Sequence, residues 1–79
     1  MSGKLLKIVE DAIKDKNIEL NSFDGERIRA IERKINSDMK AGDVIKELSQ
    51  REEKLRLKLE RHDWEKIERS LTTEMHLKK

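Results

Sequence analysis

The longest uninterrupted stretch of the sequence contains DVIKELSQREEKLRLKLERHDWEKIERSLTTEMHL, residues 43–77. The fold depends on this segment most, because neither proline nor glycine breaks it. Its apolar residues recur every three or four positions, which is the spacing of an amphipathic helix. The segment therefore predicts one long helix of about 50 Å, at a rise of about 1.5 Å per residue. One alternative is a break near 61–63, where Asp63 would cap a further helix. Another is a break after Leu48, where residues 49–52 match a capping box.

Two apolar stripes run along this segment. The first stripe, which Glu52 interrupts, consists of Val44, Ile45, Leu48, Leu55 and Leu59. The second repeats every seven residues at Leu57, Trp64 and Leu71, with Ile67 and Met75 beside it. Leu57 lies two residues after Leu55, about 200° further around a helix, so the stripes face different directions. The segment therefore either contacts different partners along its length or breaks.

Two shorter helices are expected before it. The first spans 4–16 after Ser2 as a predicted N-cap, and its apolar face consists of Leu5, Leu6, Val9, Ala12 and Ile13. The second spans 25–40 after a turn at 21–25, and its stripe consists of Ile28, Ile31, Ile35 and Met39. Phe23 is predicted to pack against the first turn of the second helix. We therefore expect an all-α single domain over 1–79, with three helices, or four if the long helix breaks.

Composition limits the size of the core. Charged residues make up 46% of the 79 residues and hydrophobic ones 34%, with one Trp, one Phe and no Cys. A chain this short buries only about 60% of the surface that its unfolded form exposes. Without disulfides, a partner protein or a second copy is the expected supplement. Disorder of the whole chain is the alternative, but the net charge of +2 and the apolar periodicity favour folding.

The first twenty residues contain no apolar run typical of a signal peptide, because Lys4, Lys7, Glu10 and Asp11 interrupt it. No stretch approaches the roughly 20 apolar residues that span a bilayer. The sequence therefore predicts a cytoplasmic protein without a membrane span. Attachment of the first helix to a membrane surface is a further alternative, but its acidic residues disfavour contact with anionic lipid.

Residue types that carry chemistry are sparse. Cysteine is absent, no serine lies in a glycine-framed turn, and the glycines at 3, 25 and 42 form no phosphate-binding loop. His62 and His76 are too far apart in sequence to bind one metal from adjacent helical turns. We therefore expect no enzyme activity, no cofactor, no metal site and no small-molecule substrate.

The predicted contact surface lies near the carboxyl end. Two helices of 13–16 residues are about 20–24 Å long, so each covers less than half of a 50 Å helix. If they pack against residues 44–59, the rest of the long helix stays uncovered and exposes Trp64, Ile67, Leu71 and Met75. An exposed apolar patch that includes Trp is typical of a binding surface. In the alternative, the short helices pack end to end and the monomer is closed.

A basic stripe follows the same segment. It consists of Arg51, Lys54, Lys58 and Arg61, at offsets of three, four and three. Such a row can form a polar rim around the apolar contact, or it can bind the phosphates of a nucleic acid. Glu47 and Glu65, four residues outside its two ends, are predicted to pair with Arg51 and Arg61.

Together these features predict a small non-enzymatic regulatory or adaptor protein that binds another protein or itself. A homodimer is one such form, and a nucleic-acid-binding regulator that uses the basic stripe is the alternative. The size and the charge-rich, proline-free helices are typical of accessory regulators encoded by bacteria or their phages.

Overall fold

The computed structural model describes residues 3–79, which form five α-helices and no β-strand. The helices are α1 (Lys4–Ala12), α2 (Ser22–Arg33), α3 (Ala41–Arg51), α4 (Glu53–Lys58) and α5 (Arg61–Glu74). The predicted all-α class is therefore confirmed. Ser2, the predicted cap of the first helix, lies outside the described residues.

Four of the helices form a ring of neighbours in the order α1, α2, α3 and α5. Between α1 and α2 the direction is antiparallel, because Glu32 near the end of α2 contacts the start of α1. One oxygen of its carboxylate accepts hydrogen bonds from the amides of Gly3 and Leu5, at 3.3 and 3.2 Å. Amides in a first helical turn have no partner within their own helix. A neighbouring helix thus caps α1, and its negative charge suits the positive end of the helix dipole.

The other neighbours in the ring are antiparallel as well. Arg27 of α2 binds Glu52, the residue after α3, at 2.7 Å. The amide of Ala41, which begins α3, donates to the carbonyl oxygen of Lys78 beyond α5, at 2.6 Å. Lys4 at the start of α1 reaches the carbonyl oxygen of Glu74 at the end of α5, at 3.4 Å. The result is an up-down-up-down arrangement, with the short α4 inserted between α3 and α5.

Every helix contributes apolar side chains to one core. The buried apolar residues are Leu5, Ile8, Val9, Ala12, Ile13, Ile28, Ile31, Ala41, Val44, Leu48, Leu55, Leu59, Ile67, Leu71 and Leu77. Complete burial of one leucine or isoleucine side chain contributes about 1.5–3 kcal/mol of transfer free energy. The core therefore depends on aliphatic side chains from all five helices, although α4 contributes Leu55 alone.

The prediction of one long helix over 43–77 is wrong, because the segment folds as α3, α4 and α5. The backbone leaves the helical conformation at Glu52 (φ −116°, ψ 95°) and again at Leu59 and Glu60. The longest dimension of the molecule is 32 Å, less than the length of the predicted helix. Two breaks allow Leu55 and Leu59 of the first stripe and Ile67 and Leu71 of the second to face the same core.

Three helices begin with the same local structure. Asp24, Asp43 and Asp63 each accept a hydrogen bond from the backbone amide three residues earlier, at 3.0, 3.0 and 2.9 Å. At Asn21 the interaction is reciprocal, because its side chain accepts from the amide of Asp24 at 2.9 Å. This capping box begins α2 at Ser22, three residues before the predicted start.

The first two helices are shorter than predicted. Helix α1 ends at Ala12 rather than at 16, and α2 ends at Arg33 rather than at 40. Ile35 and Met39 therefore lie in the connection to α3, where both are half-buried against the core. The apolar stripe predicted to extend along one helix is completed by residues in a loop.

Candidate interaction surface

One end of the bundle has charged groups in its interior. Among residues 3–79 the buried acidic side chains are Asp24, Glu52 and Asp63. They lie together because α2 and α5 begin at this end and α3 terminates there. We call the region formed by residues 13–24 and 52–64 the charged end. A buried carboxylate is costly unless cations or hydrogen-bond donors compensate it, so its partners determine the local structure.

Asp24 has the most partners of the three. Its Oδ1 binds Arg27, while its Oδ2 accepts from the Asn21 amide at 3.0 Å and from Lys54 Nζ at 2.7 Å. Burial by itself raises the pKa of the Asp24 carboxyl, but hydrogen bonds from Lys54 and the Asn21 amide outweigh it and lower the pKa to about 2. Asp24 therefore caps α2 and also connects α2 to α4.

Glu52 is compensated less completely. Its Oε2 accepts from Arg27 Nε at 2.7 Å, whereas its Oε1 is buried without a hydrogen-bond partner within residues 3–79. Burial raises the pKa of the Glu52 carboxyl, and the Arg27 guanidinium opposes that rise only in part. Arg56 stabilises the same junction, since its guanidinium donates to the carbonyl oxygen of Ser49 in the last turn of α3, at 3.0 Å.

Asp63 connects α5 to the connection between α1 and α2. Its Oδ2 lies 2.9 Å from Lys16 Nζ and also accepts from the Glu60 amide. The hydrogen bond from the Glu60 amide, followed by that from Lys16, lowers the pKa of the Asp63 carboxyl. These three carboxylates thus join every element that meets at the charged end.

Apolar side chains are also exposed at this end. Phe23 is 73% exposed and Leu57 is 70% exposed, and they are the most exposed large hydrophobic residues in the described part of the chain. Phe23 directly precedes Asp24, and Leu57 lies one helical turn after Lys54, so they are close in sequence to the two members of one ion pair. Exposed large apolar side chains of this kind are candidates for contact with a partner protein.

Two shallow grooves lie along the connection between α1 and α2. One has a volume of about 260 Å³ and apolar walls of Ile13, Ile18 and Leu20. The other, of about 280 Å³, lies between Leu6 of α1 and Gly25 of α2. Both are lined by Glu10 and Leu20, so they adjoin each other. Both grooves combine a few apolar side chains with a mostly polar and charged lining.

The predicted contact residues do not form one exposed patch. Ile67 and Leu71 are completely buried in the core, because α5 packs against both α1 and α3. The expectation that they remain uncovered is therefore corrected. Trp64 and Met75 are half-buried against the core, and they lie near opposite ends of α5. Trp64 is at the charged end, beside Asp63.

The predicted basic stripe is divided among three helices. Arg51 belongs to α3, Lys54 and Lys58 to α4, and Arg61 to α5. The predicted pairs are confirmed, because Arg51 lies 2.7 Å from Glu47 and Arg61 lies 3.6 Å from Glu65. The hydrogen bond from Arg51 lowers the pKa of Glu47. Since Lys54 binds Asp24, three of the four cations have a carboxylate partner.

Sequence reasoning missed Phe23 and Leu57 as exposed residues. Phe23 was expected to pack against the first turn of a helix, but it lies inside α2 and points away from the core. Leu57 was grouped with Trp64 and Leu71 on one continuous helix. Its position between the buried Leu55 and Leu59 is a signal of exposure, because residues two apart lie on opposite sides of α4.

No known family model, curated protein or solved structure matches this chain. Across residues 3–79, no helix has the length and apolar character needed to cross a membrane. In the same range no three histidine or acidic side chains converge in a way that could hold a metal ion.

Proposed function

We propose that this chain is a small non-enzymatic regulator that binds another protein through the charged end. The observation that carries the proposal is the exposure of Phe23 and Leu57, each of which lies within three residues of one member of the Lys54–Asp24 ion pair. Large apolar residues with a charged surround resemble the apolar centre and polar rim of protein interfaces. Trp64, which is half-buried at the same end, extends the apolar contact.

The rigidity of the charged end supports this proposal. Lys54 Nζ contacts both Asp24 and the carbonyl oxygen of Glu19, at 2.7 and 3.0 Å, and so joins α4 to the connection before α2. A surface held in place by such contacts loses less conformational entropy on binding. The partner is expected to present an apolar segment to Phe23 and Leu57, and a second copy of this chain is the simplest such partner.

Nucleic-acid binding receives less support. Phosphates bind rows of cations that are free of competing carboxylates, whereas Arg51, Lys54 and Arg61 each have an acidic neighbour. The chain has 19 basic and 17 acidic residues, which is far from the charge excess of a nucleic-acid-coating protein. A mobility-shift titration with mixed DNA and RNA at low salt would test this alternative, and a shift there would revive it.

The test of the protein-binding proposal is a pair of matched double variants. Phe23→Ser with Leu57→Ser removes the exposed apolar groups, while Lys34→Ser with Asp38→Ser changes two exposed residues at the opposite end of the bundle. Sedimentation velocity at rising concentration measures self-association. Photo-crosslinking from position 23 in the source cell, followed by mass spectrometry, identifies a partner other than a second copy of this chain.

We expect the first variant to lose association and the second to retain it. Central apolar anchors commonly contribute about 2 kcal/mol or more to binding, so the loss should be at least roughly thirtyfold. Both variants should keep their circular dichroism spectra, because the altered side chains are exposed. Equal association of wild type and the Phe23/Leu57 variant with every captured protein would refute the proposed surface.

A further inference from the structure

Two buried carboxyl groups share one arginine at the junction between α3 and α4. Arg27 donates through Nε to Glu52 at 2.7 Å and through a terminal nitrogen to Asp24. Asp24 and Glu52 are each only 1% exposed, and their carboxyl groups lie close together because they bind adjacent nitrogens of one guanidinium. Two ionised carboxylates buried so close together repel each other, and one proton on the pair removes that repulsion.

The surroundings indicate which group holds the proton. Asp24 accepts from the Asn21 amide, Lys54 and Arg27, and each of these donors favours its ionised form. Glu52 accepts from Arg27 alone, through Oε2, and its Oε1 is buried without another donor or acceptor in residues 3–79. Protonation of Glu52 removes a buried negative charge whose second oxygen has no donor in the described part of the chain to compensate it.

We propose that the Asp24–Glu52 carboxyl pair is a pH-dependent switch, in which a proton on Glu52 closes the α3–α4 junction and its loss loosens α4. The pKa values of the two groups shift in opposite directions. Burial raises the pKa of Glu52, whereas the hydrogen bonds that Asp24 accepts outweigh its burial and lower its pKa. This inference does not depend on the proposed protein-binding function.

The charged groups around the pair come from two elements. Asp24 and Arg27 belong to α2, and Lys54 belongs to α4. Lys54 and Arg27 are about half exposed, so water screens their charges more than those of the carboxylates. Loss of the proton leaves two adjacent buried anions, of which Glu52 has a single cationic partner. The repulsion between these anions acts at the junction where α4 begins.

Loosening of the junction has a defined structural consequence. The amides of Leu55 and Arg56 both donate to the carbonyl oxygen of Glu52, each at 3.1 Å. Movement of Glu52 therefore breaks the first hydrogen bonds of α4. Because Leu55 is completely buried, the open state would expose apolar surface at the charged end when the pH rises.

The test uses the full-length chain and two matched variants. Glu52→Gln keeps the shape of the side chain and cannot titrate. Glu53→Gln removes the same charge from the next residue, which is exposed. Carboxyl-carbon NMR of the wild type follows Glu52 directly, and urea unfolding of all three proteins is measured from mildly acidic to neutral pH.

A group whose pKa is higher in the folded state stabilises the fold below its ordinary pKa and loses that contribution as the pH rises. We expect Glu52 to titrate above its ordinary value of 4.5. The folding equilibrium constant should fall about tenfold for each unit of that elevation. This decrease of the folding equilibrium constant with rising pH should be present in wild type and Glu53→Gln and absent in Glu52→Gln.

Hydrogen exchange supplies a local readout. At neutral pH the amides of Leu55 and Arg56 should exchange several-fold faster in wild type than in Glu52→Gln, whereas amides of α1 should exchange alike. A Glu52 resonance that titrates at or below 4.5 would overturn the proposal. So would parallel pH profiles for wild type and Glu52→Gln. If Glu52→Gln does not fold, the wild-type NMR titration alone decides.

Discussion

Lys16 Nζ and the backbone amide of Glu60 both bind the same oxygen of Asp63, each at 2.9 Å. One carboxylate oxygen therefore caps α5 and also attaches the connection after α1 to that helix. Asp24 has the same double role at the start of α2, where it binds the Asn21 amide and Lys54. Local capping and tertiary contact are thus combined in single side chains.

Replacement of Asp63 should cost more stability than replacement of Asp43. Asp43 also accepts an amide hydrogen bond, at 3.0 Å, but its side chain is exposed and has no cation bound to it in the described structure. Loss of a cap costs about 1 kcal/mol, and loss of a hydrogen bond to a charged group adds about 1.5 kcal/mol or more. Urea unfolding should therefore show a larger loss for Asp63→Ala than for Asp43→Ala. Equal losses would mean that Lys16 contributes nothing.

Acid should destabilise the protein through its paired carboxylates. The pKa values of Asp24, Glu47 and Asp63 are lowered in the folded state. A group whose pKa is lower in the folded state stabilises the fold at a pH above its ordinary pKa. That contribution is lost as the pH falls through the pKa of the folded state. For Asp24 the interval runs from 3.8 down to about 2, which corresponds to about 2 kcal/mol. The urea concentration at the unfolding midpoint should decrease as the pH falls through this interval. The decrease should be smaller in Asp24→Asn.

Alanine substitutions in and just after α5 should distinguish core residues from partly exposed ones by their cost in stability. Leu71→Ala leaves a cavity among completely buried side chains, and such changes cost about 2–5 kcal/mol. Met75 is only half-buried, so Met75→Ala should cost less than half as much. Thermal unfolding followed by circular dichroism measures both. A mild effect of Leu71→Ala would place that residue outside the core, as the sequence alone suggested.

A glycine at position 76 should stabilise the protein. His76 has a φ of 57°, in the left-handed region that favours glycine, and it lies just after α5. This conformation costs an L-residue about 1 kcal/mol, part of which His76→Gly recovers before its own entropic cost is subtracted. The melting temperature should rise slightly, whereas His76→Ala should leave it unchanged or lower. A lower melting temperature for His76→Gly would show that the His76 side chain itself contributes to stability.

Much of the fold follows from local patterns. The apolar periodicity predicted helices near the positions of α1 and α2, and it placed Leu5, Val9, Ile28, Ile31 and Leu48 on apolar faces that the structure buries. The spacing of four residues predicted the Glu47–Arg51 and Arg61–Glu65 pairs. These features depend on residues within one or two helical turns, so nearby sequence contains the necessary information.

The helix breaks and the candidate surface depended on distant residues. Glu52 interrupts an apolar stripe, and the sequence alone does not show that Arg27, 25 residues earlier, binds it. Once residues 43–77 fold back on the core, Ile67 and Leu71 become buried. Leu57 and Phe23 remain exposed, so they replace the buried pair in the candidate surface.

Local sequence establishes that the chain is all-α, which residues are apolar and where caps can form, because those properties arise within a few residues. Long-range packing sets where the helices break and which apolar residues remain outside, because the two stripes of residues 43–77 can reach one core only if the chain bends. The contacts of Asp24 with Lys54, of Glu52 with Arg27 and of Asp63 with Lys16 join residues far apart in sequence and hold those bends.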